Sequence, residues 1–237
     1  MKTVLVTGIA RGGTSMTTGL LHCLGIYVPE GDNIPQDRLK WNPKGAFETP
    51  LLRTLNNELI SEFDFFNSEI SDEFEWQVIK RMNGRIEEIL EEMRQEHSFW
   101  GFKVLNNGAF PLLVKVVQRP LVIVVGRNWI RNVQSWVVIT RERKGRHVES
   151  FEWATKKIIE EIEVLVSGLE RVQIPKLFLS FEEIRSDGLG QAKKMAEFVG
   201  VKWVQKIEEK VKAFVDASIS TWSEKDVVFD GPRKVLA

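Results

Sequence analysis

The chain has 237 residues, 43% of them hydrophobic, which is enough for a single α/β domain with a large core over residues 1–237. Its 33 basic and 33 acidic residues cancel, so no global field attracts nucleic acid or an anionic membrane. A single cysteine excludes an internal disulfide and fits a reducing, cytoplasmic compartment, and no run approaches the roughly 18 apolar residues of a membrane span.

The first predicted element is a strand at Val4–Val6, followed by a loop with three glycines (the glycine loop, residues 8–13) and a helix that begins at Thr14. A strand, a glycine loop and a helix form an anion nest, because loop amides point inward and the helix N-terminus adds partial positive charge. Thr14 and Ser15 add hydroxyl donors, and Arg11 adds a cation that can hold two oxygens. The alternative is a tight turn that binds nothing.

The glycine loop departs from the Walker pattern G-x-x-x-x-G-K-[ST] of ATP-binding proteins. Gly8 and Gly13 have the Walker spacing, but Thr14 stands where the pattern has the lysine that reaches the β- and γ-phosphates. The cation of this loop is instead Arg11. A site without that lysine suits a ligand whose reacting end carries less charge than that of ATP.

A loop-rich stretch over residues 25–50 follows the first helix. Long irregular segments directly after a phosphate loop are often functional. Near its end, Glu48 precedes a helix that is predicted by the spacing of leucines over residues 51–59. Two interpretations of Glu48 remain open, a carboxylate favoured by the dipole of that helix and a group of the functional site. The acidic residues 61–75 form either a solvated cover over the core or a wall of an acceptor pocket.

Two further strands are predicted at Phe99–Leu105 and Pro120–Val125, with a short helix between them and a longer one over residues 76–97. Strands that alternate with helices predict a three-layer α/β/α, P-loop-like nucleotide-binding fold with a central parallel sheet and ligands at the carboxyl ends of its strands. Lys103 lies near one such end and Arg127 just past the other. Both are therefore candidate site residues.

The end of the second of these strands gives a test of Mg²⁺-dependent ATP chemistry. A P-loop NTPase is expected to place an aspartate there that helps to hold Mg²⁺, whereas this chain has Gly126 and Arg127. Both features linked to Mg²⁺ are thus missing from the sequence, and the three scattered histidines offer no metal-ligand spacing. We therefore expect no metal.

The last third of the chain is predicted to add scaffold. A strand at Lys176–Ser180 is flanked by helices over residues 151–169, 189–198 and 203–219. This continues the strand–helix alternation of the preceding residues.

The order of these motifs resembles that of the sulfotransferases that use 3′-phosphoadenosine-5′-phosphosulfate (PAPS). Arg11-Gly12-Gly13-Thr14-Ser15 is similar to the family loop [RK]-[SG]-G-T-[ST], which cradles the 5′-phosphosulfate. Arg127 and Ser135 match the arginine and serine that hold the 3′-phosphate in that family. Phe181 stands where the family has an adenine-stacking tyrosine, and Phe198–Val201 is similar to its F-[LV]-G-[LV] motif. The resemblance extends from residue 3 to about 220.

The resemblance also implies which residues carry the chemistry. Asn42–Glu48 is similar to N-P-x-G-[YF]-[FY]-E segments of soluble bacterial and viral-type members, and Lys103 keeps a lysine found after the middle strand in many members. The histidine base of the cytosolic branch has no counterpart, because Leu105 stands at its place. The implied catalytic residues are therefore Glu48 as base, with Lys103 and Arg11 as donors.

Some positions depart from the family pattern. Trp129 replaces a proline after the second motif, and Phe181 keeps the aromatic ring of the tyrosine but lacks its hydroxyl. The carboxyl-terminal Arg-Lys-Gly loop is not clearly present, and Gly231–Lys234 is a candidate substitute.

The function that the resemblance implies is transfer of a sulfuryl group from PAPS to a hydroxyl or amine, with release of 3′-phosphoadenosine-5′-phosphate (PAP). The acceptor class stays open among small molecules, carbohydrates and peptides, with neither nucleic acid nor a membrane expected as partner. One alternative is a P-loop small-molecule kinase that uses ATP, which Thr14 and Gly126 argue against. The other is a protein that binds PAPS or PAP without catalysis.

Overall fold

A parallel four-stranded sheet forms the centre of the computed structural model, which describes residues 1–29, 47–62, 84–144 and 151–215. The strands lie in the order β2-β1-β3-β4, and each neighbouring pair is parallel. Their bounds are β1 (Lys2–Thr7), β2 (Phe99–Lys103), β3 (Pro120–Gly126) and β4 (Lys176–Ser180). The predicted α/β fold with a central parallel sheet is confirmed, and β2 ends two residues before the predicted limit.

The described helices occur between and after the strands. They are α1 (Thr14–Cys23), α2 (Pro50–Glu62), α3 (residues 84–94), α4 (Phe110–Val116), α5 (Trp129–Lys144), α6 (Phe151–Arg171), α7 (Phe181–Ser186), α8 (Gly188–Val199) and α9 (Gln205–Val215). Neither α5 nor the short α7 is predicted from the sequence pattern. No helix in the described parts of the chain combines the length and hydropathy that crossing a membrane requires.

Each face of the sheet carries its own core, because successive strand residues point to opposite sides. Leu5 of β1 packs into a core that also contains Trp100 and Phe102 of β2 and is covered by α2 to α6. Val4 and Val6 pack into the opposite core, which α1 and α7 to α9 cover. Both faces are therefore buried, and the apolar runs of the central strands follow from this.

The strand register places the carboxyl ends of the strands side by side. Val6 pairs with Lys103 of β2, and Gly126 of β3 pairs with Ser180 of β4. The glycine loop after β1, Lys103 at the end of β2 and Arg127 after β3 therefore lie along one edge of the sheet. We call this the carboxyl edge.

Several predictions fall outside the described residues. They concern Asn42–Ala46 of the Asn42–Glu48 segment, the acidic stretch beyond residue 62, the predicted helix over 76–83 and Gly231–Lys234. These remain predictions, as does the extent of a single domain over 1–237.

Candidate functional site

The backbone of the glycine loop is shaped by close approach and by left-handed conformations. A Cβ atom on Gly8 would lie 2.3 Å from the carbonyl oxygen of Val125 in β3, so only glycine fits there. Gly13 has a φ of 103°, a region that glycine adopts without steric cost, and directly precedes α1. Arg11 has a φ of 65° although it carries a side chain. A non-glycine residue in this conformation persists only where its surroundings hold it, as happens at ligand-binding loops.

Two side chains that were not predicted as site residues form hydrogen bonds to the glycine loop or to the end of β1 from other parts of the chain. Asn107, in the 3₁₀ turn after β2, accepts a hydrogen bond from the Thr7 hydroxyl at 2.8 Å and donates one to the Gly8 carbonyl at 3.2 Å. Glu161 of α6 accepts a hydrogen bond from the backbone N–H of Ala10 at 2.7 Å. Asn107 had a sequence signal, since it follows a buried strand near its carboxyl end, whereas Glu161 lies within a long amphipathic helix that gave none.

Lys103 is the centre of the first cationic pocket. The residue is 4% exposed, and its ammonium donates hydrogen bonds to the Ser15 hydroxyl at 3.1 Å and to Glu48 Oε1 at 2.5 Å. The other carboxylate oxygen of Glu48 lies 3.5 Å from a guanidinium nitrogen of Arg53. The Glu48 carboxylate therefore sits between two cations. The structure brings together three residues that the sequence analysis named separately, and it adds Arg53.

The charge of Lys103 is held in balance by opposing influences. Burial lowers the pKa of its ammonium from the ordinary value, and the positive charges of Arg11 and Arg53 lower it further. The carboxylate of Glu48 acts in the opposite sense, through its charge and its hydrogen bond. Loss of Glu48 would therefore lower the pKa of Lys103 further, and a bound anion would raise it.

The structure shows where Glu48 lies relative to α2 and which cations it contacts. The hydroxyl of Thr49 accepts a hydrogen bond from the backbone N–H of Leu52 at 3.0 Å, so Thr49 caps the amino end of α2. Glu48 thus precedes the cap and lies outside the first helical turn. Its carboxylate contacts Lys103 and Arg53 instead. Its place is at the carboxyl edge of the sheet, and its chemical role there remains a prediction.

Arg127 is the centre of the second cationic pocket. One terminal nitrogen of its guanidinium donates a hydrogen bond to the carbonyl oxygen of Arg11 at 3.1 Å, so it lies directly against the glycine loop. Burial lowers its pKa, and the nearby Glu182 carboxylate opposes that effect, but a guanidinium stays protonated at neutral pH. Its Nε is buried and has no hydrogen-bond partner among the described residues. A buried donor of this kind fits an anion, since leaving it unpaired is costly.

Phe181 contacts both the glycine loop and Arg127. A Cβ atom on Gly13 would lie 2.3 Å from the Phe181 ring, so the absence of a side chain there lets the ring pack on the backbone. The guanidinium carbon of Arg127 lies 4.9 Å from the ring centroid, a cation–π distance. Phe181 begins α7 directly after Ser180, whose side chain accepts a hydrogen bond from Glu183 and caps that helix. Stacking on adenine remains a prediction for this ring.

Arg11 connects the two cationic pockets. Its Nε donates a hydrogen bond to the hydroxyl of Ser135 in α5 at 3.3 Å, although the resemblance assigns these two residues to opposite ends of the nucleotide. Arg11 is also close enough to Lys103 to lower the pKa of the ammonium. The predicted site residues are therefore all at the carboxyl edge: Arg11, Gly12, Gly13, Thr14, Ser15, Glu48, Lys103, Arg127, Ser135 and Phe181.

No protein-family model matches the chain, and no curated protein matches it by sequence. Solved structures do match it in fold. The sulfotransferase STF9 from Mycobacterium avium is 12% identical with a TM-score of 0.54, and the match covers 90% of this chain and 67% of that one. The sulfotransferase STF1 from Mycobacterium tuberculosis H37Rv is 11% identical with a TM-score of 0.51, and the match covers 93% of this chain and 74% of that one.

A third match is the sulfotransferase domain of the Synechococcus PCC 7002 olefin synthase, at 13% identity and a TM-score of 0.54, over 87% of this chain and 76% of that one. The likeness extends over most of each chain. At these identities the likeness is one of fold. The chain is therefore an α/β protein whose fold is similar to that of these three sulfotransferases.

Proposed function

We propose that the chain transfers a sulfuryl group from PAPS to a hydroxyl or amine acceptor and releases PAP. The observation that carries this proposal is the position of the Lys103–Glu48 pair and of Arg127 on either side of one glycine loop, at the carboxyl edge of a parallel sheet. The similarity in fold to the three sulfotransferases and the order of the sequence motifs support it.

The two pockets suit the two ends of the nucleotide. The buried Nε of Arg127, which has no acceptor among the described residues, would bind the 3′-phosphate together with the hydroxyl of Ser135. The amides of the glycine loop, with Ser15 and Lys103, would bind the 5′-phosphosulfate at the start of α1. Arg11 lies between the two groups of donors and can serve either end.

PAPS supplies the sulfuryl group: the acceptor oxygen bonds to sulfur while the sulfur–oxygen bond to the 5′-phosphate breaks, and that electron pair leaves with PAP. By analogy with phosphoryl transfer, the protein contributes positioning and stabilisation of the growing charge. Lys103 and Arg11 are the donors for this charge. When Lys103 turns towards an anion, its contact with Glu48 weakens, and the carboxylate becomes available as a base for the acceptor proton.

Arg53 supports the proposed base. It makes the second ion pair with the carboxylate, through the oxygen that Lys103 does not contact. A carboxylate that keeps one cationic neighbour stays ionised, as a base must before it accepts a proton. Glu48 would therefore remain held in place by Arg53 while Lys103 interacts with the sulfuryl donor.

The test has two stages. Calorimetry with PAP and with ATP, each with and without Mg²⁺, should show PAP binding that needs no divalent ion. Transfer from radiolabelled PAPS should then be assayed over a panel of hydroxyl and amine acceptors. Mg²⁺-dependent binding of ATP without binding of PAP would refute the proposal in favour of a kinase. Tight binding of PAP with no transfer to any acceptor would identify a non-catalytic binder.

A further inference from the structure

A carboxylate that the proposed chemistry does not use reaches the glycine loop from a distant helix. Glu161 lies in α6, and its Oε2 accepts the hydrogen bond from the backbone N–H of Ala10 across 151 residues of sequence. Burial raises the pKa of this carboxyl group, and the Ala10 N–H and the charge of Lys157 act against that shift. A partly buried carboxylate therefore accepts the hydrogen bond of one loop amide.

The environment of Glu161 shows that this contact is specific. Burying a carboxylate is unfavourable unless it is hydrogen-bonded or paired. Lys157 lies one helical turn before Glu161 on α6 and supplies an opposite charge, while its ammonium also pairs with Glu160 at 2.7 Å. An apolar side chain at this position would fill the space without that cost. The feature that only the carboxylate provides is a charged acceptor for the Ala10 N–H, which makes the stronger kind of hydrogen bond.

Three separate elements meet at the Ala10–Arg11 segment of the loop. Glu161 holds the N–H of Ala10, Arg127 donates to the carbonyl of Arg11, and Ser135 accepts from the Arg11 side chain. Arg11 has a left-handed φ of 65°, a strained conformation for a residue with a side chain, which persists only where its surroundings hold it. The contact at Ala10 holds the Ile9–Ala10 peptide, at the start of the turn that the Gly12 N–H closes on the Ile9 carbonyl oxygen at 2.9 Å.

We propose that Glu161 is a positioning residue, which fixes the loop at Ala10 so that Arg11 keeps its left-handed backbone and its side chain remains at the carboxyl edge of the sheet. The identity of the bound anion in this inference rests on the proposed function. The effect on the loop itself does not, because it follows from contacts within the protein.

The experiment compares Glu161→Met, which keeps the length of the side chain without an oxygen, with Glu161→Gln, which keeps an acceptor without the charge. Glu163→Ala removes an exposed carboxylate from the same helix and is the matched control. Glu161→Ala replaces the methionine variant if that one does not fold. Selective ¹⁵N-alanine labelling reports hydrogen exchange at the Ala10 amide, and calorimetry reports PAP affinity.

In Glu161→Met, exchange at the Ala10 amide and the dissociation constant for PAP should each rise about tenfold, as expected when a backbone N–H loses a hydrogen bond to a charged acceptor. Glu161→Gln should recover part of both, because it restores an acceptor without the charge, and Glu163→Ala should match the wild type. The KM for PAPS should rise with the dissociation constant, while the KM for the acceptor should stay unchanged.

Two outcomes would overturn the inference: unchanged exchange at Ala10 in Glu161→Met, or faster exchange with unchanged affinity for PAP. A wild-type protein that does not bind PAP would instead overturn the proposed function. In that case exchange at Ala10 alone decides whether Glu161 fixes the loop, since that measurement needs no ligand.

Discussion

The two cationic pockets at the carboxyl edge differ in how their cations are satisfied. Lys103 is buried, and its ammonium already has the Ser15 hydroxyl and the Glu48 carboxylate as partners. Arg127 binds the Arg11 carbonyl and lies over the Phe181 ring, but its Nε has no acceptor in the described part of the chain. A bound anion would therefore replace Glu48 as a partner of Lys103, whereas it would add a partner to Arg127.

Because of this difference, we expect the Lys103 pocket to contribute mainly to turnover and the Arg127 pocket mainly to affinity for the nucleotide. An anion that binds Lys103 must compete with Glu48, so the net gain in binding is small, while the freed carboxylate can act on the acceptor. An anion that binds Arg127 satisfies a buried donor, and among the described residues no carboxylate competes for Nε, so the gain in binding is larger. Substitutions in the Lys103 pocket should therefore lower turnover, and substitutions at Arg127 should lower affinity for the nucleotide.

The largest effect is expected for Glu48→Gln, which keeps the shape of the side chain but cannot accept the proton. Turnover should fall by about 10² to 10⁴-fold, the usual contribution of a general base. Affinity for PAP, measured by calorimetry, should stay intact. Unchanged turnover would remove Glu48 from the mechanism and leave the two pockets without a chemical distinction.

Replacing Lys103 with methionine comes next. The variant removes the donor that would face the sulfuryl group, so kcat should fall by about 10² to 10³-fold, as for loss of one donor to a developing charge. Lys103→Arg keeps a cation and serves as the matched comparison. A Lys103→Met variant with normal kcat and a large loss of PAP affinity would show that this pocket contributes to binding rather than to turnover.

Arg127→Ala should weaken PAP binding by about 2 to 5 kcal/mol with little change in kcat at saturating PAPS, because it strands a charged phosphate contact. Arg127→Lys should recover part of the affinity, since it restores the charge without the planar fork of the guanidinium. Calorimetry measures both. Equal affinities for wild type and Arg127→Ala would place the 3′-phosphate elsewhere.

The smallest effect is a shift in pH dependence. Because burial lowers the pKa of Lys103, its proton leaves at a lower pH than the ordinary 10.5. If the protonated ammonium is the active donor, kcat falls as pH rises through this lowered pKa. Lys103→Arg should move that alkaline limb to higher pH, because a guanidinium keeps its proton. A limb that stays in place in Lys103→Arg would assign it to another group.

Local pattern was enough to predict most of the sheet. The apolar runs predicted the central strands β1 and β3, because strands buried on both faces need continuous apolar sequence, although β1 extends over Lys2–Thr7 rather than Val4–Val6. The edge strand β4 was predicted with its observed bounds, although Phe178 in it is exposed. The strand ends then placed Lys103 and Arg127 at one edge. The helix α7 was not predicted, because six residues are too few to show a helical periodicity. Its start is set by the hydrogen bond that the Ser180 side chain accepts from Glu183.

The sequence by itself determined the fold class, the glycine loop and the two cations, since each depends on residues close together along the chain. Only the tertiary structure decided which partners these groups have: Glu48 meets Lys103 across 55 residues, Arg11 meets Ser135 across 124, and Glu161 meets Ala10 across 151. The physical reason is that the strand order β2-β1-β3-β4 and the packing of α6 bring these segments together. Neither can be deduced from the spacing of residues within one segment.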